Sequence, residues 1–382
     1  MKKGMRSRPA TRTPLGQLLA QRIRESGPLT FAEFMRECLY NPEHGYYSRA
    51  EGRRFADFYT SVDVHPIFGR LLARQLAQMW ERLGKPQPFC AVEAGAGAGR
   101  LAKHVLDFAA RELRGFYAAL RYVAAETSAA RRAAQAAMLG PHLEAGRACS
   151  AAELPAEIPA GCIFSNELLD ALPVHRVVHA QGELCELYVG LDGEEFCEQP
   201  GPPSTPALAE YFHAQGIGLV EGQQAEAGLA ACDWIENAGR RLGRGFLLTV
   251  DYGHEARELY NERHMRGTLL AYEQHRASED FFRAPGERDL TAHVNFTALD
   301  LWGRRAGLER TGLVSQAWFL LALGQGNEFA DLYDEGQSEA GRVRARLLLK
   351  NLIYPEGMGE TFQVFIQHKG VESPHLTGLE PF

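Results

Sequence analysis

Three glycines at alternate positions constrain the fold of this 382-residue chain more strongly than any other feature. Gly95, Gly97 and Gly99 follow the short apolar run Phe89–Glu93 and precede the helical pattern Leu101–Leu113. Glycine permits a tight turn between a strand and a helix, and it lets a ligand lie against the backbone. The segment therefore predicts a strand–loop–helix unit with a ligand at the loop. Close packing of the helix on the strand is the alternative reason for the glycines.

Strand-like and helical patterns alternate after this loop. Leu120–Glu126 predicts a strand that ends in an acid, Ser128–Leu139 predicts a helix, and Cys162–Ser165 and Phe246–Asp251 predict two buried strands. Such alternation is typical of βαβ units with a parallel sheet, whose ligands bind at the carboxyl ends of the strands. The predicted fold class is therefore α/β. Two late strand-like runs are predicted to pair antiparallel at the edge of the sheet: Leu313–Leu320 and Thr361–His368.

Two regions depart from this alternation. Before it, Thr13 and Thr30 are the predicted N-caps of two helices, and Glu33 completes a capping box with Thr30. Residues 181–228 interrupt the alternation, and the dipeptide Asp192-Gly193 predicts a β-hairpin there. We interpret this second region as an insertion and not as a complete domain.

Composition and charge exclude several classes of function. Hydrophobic residues make up 45% of the chain, which is enough for a sizeable core. No run approaches the roughly 20 apolar residues of a membrane-spanning helix. The formal net charge of −7 argues against nucleic acid as a partner. Seven cysteines, an odd number without a CxxC pair, indicate reduced thiols of a cytoplasmic protein and no metal site.

The first 24 residues carry seven basic side chains, and no acid occurs before Glu25. No apolar run follows the basic start, so a secretory signal is not predicted. Two interpretations are left open. One is the basic tail of a bacterial cytoplasmic protein, and the other is a transit peptide that leads to the mitochondrial matrix.

The spacing of the glycines discriminates between ligands. A dinucleotide-binding loop has the pattern GxGxxG, but Arg100 stands at its last position, which disfavours a nicotinamide oxidoreductase. The observed pattern, Glu93 followed by glycines at alternate positions, resembles motif I of the class I S-adenosylmethionine-dependent methyltransferases. The resemblance implies that the loop packs against the amino-acid part of S-adenosyl-L-methionine. It also implies that Glu126 accepts hydrogen bonds from the ribose hydroxyls.

A longer series of segments resembles the MidA family of class I methyltransferases, which includes the mitochondrial complex I assembly arginine methyltransferase. The matching segments are, in chain order, Leu39-Tyr40-Asn41-Pro42, Gly45-Tyr46-Tyr47, Asp57-Phe58-Tyr59-Thr60-Ser61, Asn166-Glu167-Leu168-Leu169-Asp170-Ala171-Leu172-Pro173, Asp251-Tyr252-Gly253, Arg266-Gly267-Thr268-Leu269 and Asp289-Leu290-Thr291-Ala292-His293-Val294. The resemblance implies a Rossmann-like class I methyltransferase sheet with a helical N-terminal extension and an inserted β-hairpin/helical subdomain. It also implies S-adenosyl-L-methionine as the cofactor and an arginine nitrogen of a protein as the acceptor, with a respiratory complex I subunit as the target of a mitochondrial member.

The expected organisation has five parts. They are an N-terminal helical extension with a cofactor lid (1–85), the cofactor-binding Rossmann-like half (86–180), the inserted subdomain (181–228), the second half of the methyltransferase domain (229–370) and a tail (371–382). The expected cofactor-binding residues are Glu93, Gly95, Gly97, Gly99, Glu126, Asn166, Thr60 and Ser61. Thr60 and Ser61 belong to the segment Asp57–Ser61, which is predicted to cover the cofactor or, alternatively, to form a packed turn.

Acids after the fourth strand are the candidates for the acceptor site. The resemblance to class I N-methyltransferases implies that the acceptor is held there, at Asn166, Glu167 and Asp170. A guanidinium group suits these acids because its planar N–H groups match a carboxylate bidentately. We expect Glu167 to orient the attacking nitrogen and Asp170, three residues further along a helix, to take a second edge. The alternative is a helix N-terminus that Asn166 caps and Glu167 stabilises.

Two further residues are candidates for the site. Asp251 ends a buried strand at the ligand edge of the sheet, where it either faces the site or forms a turn. His293 is the candidate for a catalytic base or proton relay, and a histidine whose hydrogen bonds are satisfied in the core is the alternative.

The sequence thus predicts an S-adenosyl-L-methionine-dependent methyltransferase that acts on a protein arginine. Two alternatives are left open, namely a non-catalytic assembly factor that retains the cofactor fold and a methyltransferase with a small-molecule acceptor. The expected partner is the protein substrate, with neither nucleic acid nor membrane insertion. The oligomeric state is left open, with a homodimer among the alternatives.

Overall fold

The computed structural model describes residues 12–48, 65–273, 276–334, 336–354 and 361–381. Its strands are β1 (Leu29–Thr30), β2 (Phe89–Ala94), β3 (Leu120–Ala125), β4 (Ala148–Ala151), β5 (Ile158–Asn166), β6 (His175–Ala180), β7 (Glu183–Asp192), β8 (Glu195–Gly201), β9 (Gln224–Ala227), β10 (Leu242–His254), β11 (Leu270–Glu273), β12 (Arg276–Ser278), β13 (Asp289–Thr291), β14 (Val294–Asn295), β15 (Glu309–Ser315) and β16 (Phe362–Lys369). Its α-helices are α1 (Pro14–Ser26), α2 (Phe31–Tyr40), α3 (Ile67–Arg82), α4 (Arg100–Glu112), α5 (Arg114–Ala119), α6 (Ala129–Glu144), α7 (Ala207–Ala214), α8 (Leu229–Arg241), α9 (Ala256–Leu259), α10 (Phe296–Arg305), α11 (Gln316–Gln325) and α12 (Glu339–Ile353).

The chain divides into two compact units, each made of separate stretches of sequence. Unit 1 comprises the described residues within 1–58, Asp170–Cys232 and His254–Ala298. Unit 2 comprises the described residues within 59–169, Asp233–Gly253 and Leu299–Phe382. The five-part organisation expected from the sequence stays a prediction.

Unit 2 is built on a mostly parallel sheet in the order β4-β3-β2-β5-β10-β16-β15. The first five strands are parallel to their neighbours. The exception is β16, which pairs antiparallel with β10 and with β15. The predicted α/β class and the predicted antiparallel pair are therefore confirmed, and β16 lies one strand in from the edge.

One predicted strand is wrong over half of its length. The run Leu313–Leu320 is a strand only as far as Ser315, because α11 begins at Gln316. The Ser315 hydroxyl accepts a hydrogen bond from Trp318 N at 3.2 Å and caps the helix. A buried helix and a buried strand both read as continuous apolar runs, so hydrophobic periodicity does not separate them.

Unit 1 combines the N-terminal helices with the inserted strands. Its main sheet is antiparallel, in the order β1-β7-β6-β9, and β8 pairs with β7. The predicted hairpin is formed, with Asp192 opposite Glu195. The predicted caps are also present, since Thr13 Oγ1 accepts from Gly16 N at 2.9 Å and Thr30 and Glu33 form a reciprocal capping box.

Each unit has its own apolar core. In unit 1, side chains of α1 and α2, such as Leu15 and Phe34, are buried together with Val189 and Phe196 of the inserted strands. In unit 2, α3 packs its apolar face on the sheet around residues such as Phe89. The N-terminal helices and the inserted strands thus share one core, although about 140 residues of sequence separate the end of α2 from the start of β7.

All seven cysteines are free thiols, three of them buried. Within the described ranges, no group of three or more His, Cys, Asp or Glu side chains is arranged to hold a metal ion. None of the helices described is both long and apolar enough to cross a membrane.

A substitution at Gly161 on β5 tests how closely β5 and β2 approach each other in the central sheet. A Cβ atom at this position would lie 1.9 Å from the Cys90 carbonyl oxygen on β2, which is backbone and cannot rotate away. We expect Gly161→Ala to lower the free energy of unfolding by about 3 kcal/mol, measured by urea denaturation.

The matched control for this substitution is Gly115→Ala in α5. Of the atoms in the described ranges, a Cβ atom there would meet only Trp80 at 3.9 Å, an ordinary contact. Alanine is the better helix former, so this variant should be stabilised by about 0.5–1 kcal/mol. Equal effects of the two substitutions would contradict the register of β2 and β5.

Candidate active site

The glycine loop joins β2 to α4 at the carboxyl edge of the sheet of unit 2. Gly95, Gly97 and Gly99 have φ angles of +71°, +52° and +87°, and Gly99 is the N-cap of α4. Residues with a Cβ atom adopt this left-handed region only with strain. The predicted strand–loop–helix unit is confirmed, and the backbone conformation itself requires the three glycines.

The three glycines face different surroundings. A Cβ atom on Gly95 would lie 3.0 Å from Leu168 Cδ1, and one on Gly99 would lie 3.3 Å from Gln135 Cγ. A Cβ atom on Gly97 would meet no atom of the described residues within 4 Å. Close packing therefore explains the first and third glycines, and the loop is open at the second. This open side is where a ligand can lie against the backbone.

Glu126 is the first residue after β3 and is buried. Its Oε2 accepts a hydrogen bond from Gly97 N at 3.0 Å, and its Oε1 accepts one from Ser128 N at 2.9 Å. Arg131 Nη1 lies 3.7 Å from Oε2. The Thr127 hydroxyl also donates to Oε1, at 3.5 Å. Since a carboxylate can accept about four hydrogen bonds, Glu126 fixes the loop and retains capacity for one further bond from a hydroxyl group of a ligand.

Gln135 also holds the glycine loop, and sequence analysis missed it. This fully buried side chain of α6 donates from Nε2 to the Gly97 carbonyl at 2.8 Å, and its Oε1 accepts from the Ser150 hydroxyl. In the sequence, the one indication of such a role was a polar residue within an alanine-rich helical pattern. Its partners lie 38 and 15 residues away, so the role follows from the tertiary structure alone.

Glu93 lies inside β2, and its carboxyl group is buried against a neighbouring strand. Tyr122 on β3 donates its hydroxyl to Glu93 Oε2 at 2.5 Å. Burial raises the pKa of Glu93 to about 8, the Tyr122 hydrogen bond lowers it, and the charge of Glu126 raises it. Glu93 is thus largely protonated at neutral pH, because water is excluded from around the charged form.

Glu167 lies at the carboxyl end of β5 in a strained conformation. Its φ angle is +53°, which is uncommon for a residue with a side chain. Its N–H donates to the Val250 carbonyl at 2.9 Å, and Asn166 Nδ2 donates to Glu167 Oε1 at 3.0 Å. Strain of this kind persists only where surrounding contacts enforce it, and it is concentrated at functional sites.

Asp251 on β10 supplies the contacts that hold the chain after Glu167. Its Oδ2 accepts from Leu169 N at 2.8 Å and from Leu168 N at 3.2 Å, and its Oδ1 accepts from Tyr252 N at 3.0 Å. Burial raises the pKa of Asp251 to about 7, the backbone N–H groups lower it, and the nearby charge of Glu167 raises it. Asp251 therefore positions the backbone around Glu167.

The helix expected at Asn166–Asp170 is wrong. Asn166 is the last residue of β5, and the chain continues through bends and turns to β6. Neither a helix cap at Asn166 nor an i, i+3 pairing of Glu167 with Asp170 on one helix face exists. Backbone N–H groups that a helix would leave at its first turn are bound here by the Asp251 carboxylate.

Asp170 and His293 belong to unit 1, whereas Glu167 belongs to unit 2. Asp170 is buried, and its carbonyl accepts from Ala292 N at 3.0 Å. His293 lies with its ring centroid 5.4 Å from that of His254. Burial, followed by the charges of His254 and His264, lowers the pKa of His293 to about 4, so its imidazole is neutral at pH 7. Thr60 and Ser61, with the segment Asp57–Ser61, lie outside the described residues.

Comparison with known proteins decides the family. Residues 71–314 match the family described as "Putative S-adenosyl-L-methionine-dependent methyltransferase". The chain belongs to this methyltransferase family. The resemblance to the MidA methyltransferases is confirmed.

Solved structures and curated sequences agree with this assignment. A COG1565 superfamily member from Burkholderia thailandensis, crystallised with S-adenosyl-homocysteine, is 31% identical with a TM-score of 0.85, and the match covers 95% of this chain and 94% of that one. The "Protein arginine methyltransferase NDUFAF7 homolog, mitochondrial" of Drosophila melanogaster is 27% identical, with 95% of this chain and 86% of that protein covered. The human "Protein arginine methyltransferase NDUFAF7, mitochondrial" is 28% identical, with coverages of 92% and 83%.

The cofactor of this methyltransferase is S-adenosyl-L-methionine. When bound, it supplies a sulfonium methyl group that a nucleophile can attack. The described residues can accommodate S-adenosyl-L-methionine, because the loop is open at Gly97 and the Glu126 carboxylate can still accept a hydrogen bond. The protein's share of the chemistry is to place a nucleophile in line with the methyl group and to exclude water.

Gly97→Asp tests the open side of the glycine loop. The new side chain would occupy the space at the loop and place a negative charge there, so we expect the affinity for S-adenosyl-homocysteine to fall at least about 100-fold, measured by isothermal titration calorimetry. Gly146→Asp is the matched control, since Gly146 also has a positive φ (+66°) and, among the residues that the structure describes, no atom within 4 Å of its Cβ position. Both substitutions carry the same backbone strain, and a similar loss of affinity in the control would contradict the assignment.

Glu93→Gln tests the raised pKa of the buried acid. In the wild type, the unfolded state releases the Glu93 proton near its ordinary pKa of 4.5, whereas the folded state keeps it up to about 8. The free energy of unfolding therefore decreases, through this group, as the pH rises from 4.5 to about 8. We expect the melting temperature of Glu93→Gln relative to the wild type to increase from pH 5 to pH 8, measured by differential scanning calorimetry. A difference that is constant with pH would contradict the raised pKa.

Proposed function

We propose that the acceptor is an arginine nitrogen of a protein. The observation that carries this proposal is the Glu167 carboxyl group, which Asn166 anchors directly after β5. The glycine loop approaches the same segment closely, since a Cβ atom on Gly95 would lie 3.0 Å from Leu168. The names of the fly and human relatives as protein arginine methyltransferases support the same acceptor.

Glu167 is suited to orient a guanidinium group. A carboxylate accepts two parallel N–H bonds from the planar fork of arginine, which fixes both the direction and the distance of the attacking nitrogen. Asn166 Nδ2 restrains one carboxylate oxygen, and the Val250 carbonyl holds the Glu167 N–H. Because the carboxyl group is already in place, little ordering remains to be done when the acceptor binds.

The remaining site residues keep the roles expected from the sequence, as part of the proposal. Glu93, Gly95, Gly97, Gly99, Glu126, Asn166, Thr60 and Ser61 contribute to cofactor binding. Support for cofactor binding comes from the left-handed backbone of the glycine loop and from the hydrogen bonds that the Glu126 carboxylate accepts. Asp170 is proposed to bind the acceptor and His293 to accept a proton. The low pKa of His293 makes it a weak base, so a pH profile of His293→Gln is the relevant measurement.

The substrate and the compartment follow from the resemblance. A respiratory complex I subunit is the first protein to test as a substrate. The fly and human relatives are named as mitochondrial proteins. For this chain the bacterial cytoplasm and the mitochondrial matrix are the two compartments proposed, and residues 1–11 of the basic N-terminus lie outside the described residues.

Glu167→Gln tests the proposed acceptor site. The amide keeps the size of the side chain but loses the negative charge and one acceptor, so we expect kcat to fall about 100-fold or more. The affinity for S-adenosyl-homocysteine should stay within about threefold of the wild type. The measurement is transfer of labelled methyl groups to protein, followed by acid hydrolysis and identification of methylarginine.

Two further variants serve as controls for this test. Glu157→Gln changes an exposed acid before β5 and should retain full activity. Glu167→Gly relaxes the left-handed backbone, so it should be at least as stable as the wild type yet inactive, which separates loss of function from loss of folding. Labelled methyl groups on a residue other than arginine would overturn the proposed acceptor while leaving the methyltransferase family intact.

A further inference from the structure

Helix α12 carries apolar side chains on two opposite sides. One set is buried in the core of unit 2: Ala345, Leu349 and Leu352. The other set begins at Val343, which is 44% exposed, and continues at Leu347, which is 59% exposed. Two residues along an α-helix correspond to about 200°, so the stripe that begins at Val343 faces away from the one that begins at Ala345. The folding of unit 2 explains only the buried stripe.

The outer stripe continues past the end of the helix. Tyr354, which directly follows α12, is 46% exposed, and it lies seven residues after Leu347, at the spacing of two helical turns. Lys350 lies over the Tyr354 ring, with Nζ 4.4 Å from the ring centroid. Three sizeable apolar side chains are therefore exposed along one line. The outer face of α12 is the name used here for these three apolar residues together with the exposed cations of the same helix, namely Arg342, Arg344, Arg346 and Lys350.

Cationic side chains border this outer face. Arg342, Arg344, Arg346 and Lys350 are all exposed, and Glu339 is the single acid in the helix. Glu339 pairs with Arg346 at 3.1 Å. The whole chain has a net charge of −7, so this helix is a local cationic surface on an acidic protein. Such a contrast orients a protein toward a negatively charged partner.

A second copy of the chain does not suit the outer face. Two copies meeting through α12 would bring the arginines of one helix against those of the other, and like charges oppose such contact. Three apolar side chains also provide far less surface than the roughly 800 Å² per partner that a stable dimer buries. The partner must therefore be negatively charged and must accept isolated apolar side chains.

We propose that the outer face of α12 binds reversibly to an anionic lipid membrane. Within the described part of the chain, most residues of the helix outside its buried stripe are exposed, so its outer side can lie along a flat surface. Interfacial helices combine apolar side chains, which enter the boundary between headgroups and acyl chains, with arginines and lysines on the flanks. The long cationic side chains can bury their methylene groups while their charges stay at the phosphate level.

Vesicle sedimentation with the full-length protein tests this proposal. We expect the wild type to sediment at low salt with vesicles of phosphatidylcholine and phosphatidylglycerol, and not with phosphatidylcholine alone. The double variant Arg344→Glu/Lys350→Glu should bind at least about tenfold more weakly, because each cation near an anionic surface strengthens binding severalfold. Val343→Ser/Leu347→Ser should weaken binding about tenfold through loss of apolar burial.

The control variant is Arg114→Glu/Arg121→Glu, which reverses two exposed cations elsewhere in unit 2. It should bind vesicles within about twofold of the wild type, because its charges lie outside the outer face. All variants change exposed side chains and should keep the unfolding midpoint of the wild type. Failure of the wild type to bind anionic vesicles, or equal weakening in the control, would overturn the proposal. Capture of an acidic protein without vesicle binding would likewise overturn it and assign the face to a protein partner.

Discussion

The site depends on buried carboxylates that bind backbone N–H groups at the carboxyl edge of the sheet. Asp251 accepts from the N–H groups of Leu168 and Leu169, and Glu126 accepts from those of Gly97 and Ser128. Each segment leaves the sheet here, after the last N–H group that bonds to a neighbouring strand, at Ala96 in one case and Glu167 in the other. A carboxylate can satisfy several donors at once, so each one fixes an irregular loop without a helix. The left-handed conformations of Gly97 and Glu167 persist because of these contacts.

Burial of these acids has an electrostatic consequence. Glu93 and Asp251 lie in a sheet whose apolar surroundings disfavour the charged form, and the pKa values rise to about 8 and about 7. Each also feels the charge of a neighbouring acid, Glu126 in one case and Glu167 in the other. The protein therefore limits the number of negative charges packed at one edge of the sheet. Burial is the largest cause in both cases. For Asp251 the same burial places the carboxylate against the backbone after Glu167, whereas Glu93 is buried against Tyr122.

Local patterns predicted the parts of the fold that depend on neighbouring residues. The caps at Thr13 and Thr30, the hairpin at Asp192-Gly193 and the glycine loop are all present as expected. For the caps and the hairpin the decisive contacts span only a few residues. For the glycine loop the glycines themselves permit the left-handed backbone, and Glu126 and Gln135 hold it from 29 and 38 residues away. The helix expected at Asn166–Asp170 and the strand expected beyond Ser315 were wrong. In the first case the Asp251 carboxylate, 82 residues after Leu169, binds the N–H groups that a helical turn would leave. In the second case the buried apolar run had no periodicity that separates a helix from a strand.

The sequence by itself determined the α/β class, the order of glycines that a left-handed loop requires, and the likeness to a methyltransferase family. These are properties of residue types and short spacings, which act before distant parts of the chain meet. Only the tertiary structure decided that Gln135 supports the glycine loop and that Asp251 positions Glu167. It also decided that the N-terminal helices share a core with the inserted strands. Such contacts join residues far apart in the chain, and whether two side chains meet there depends on how the whole sheet and its helices pack.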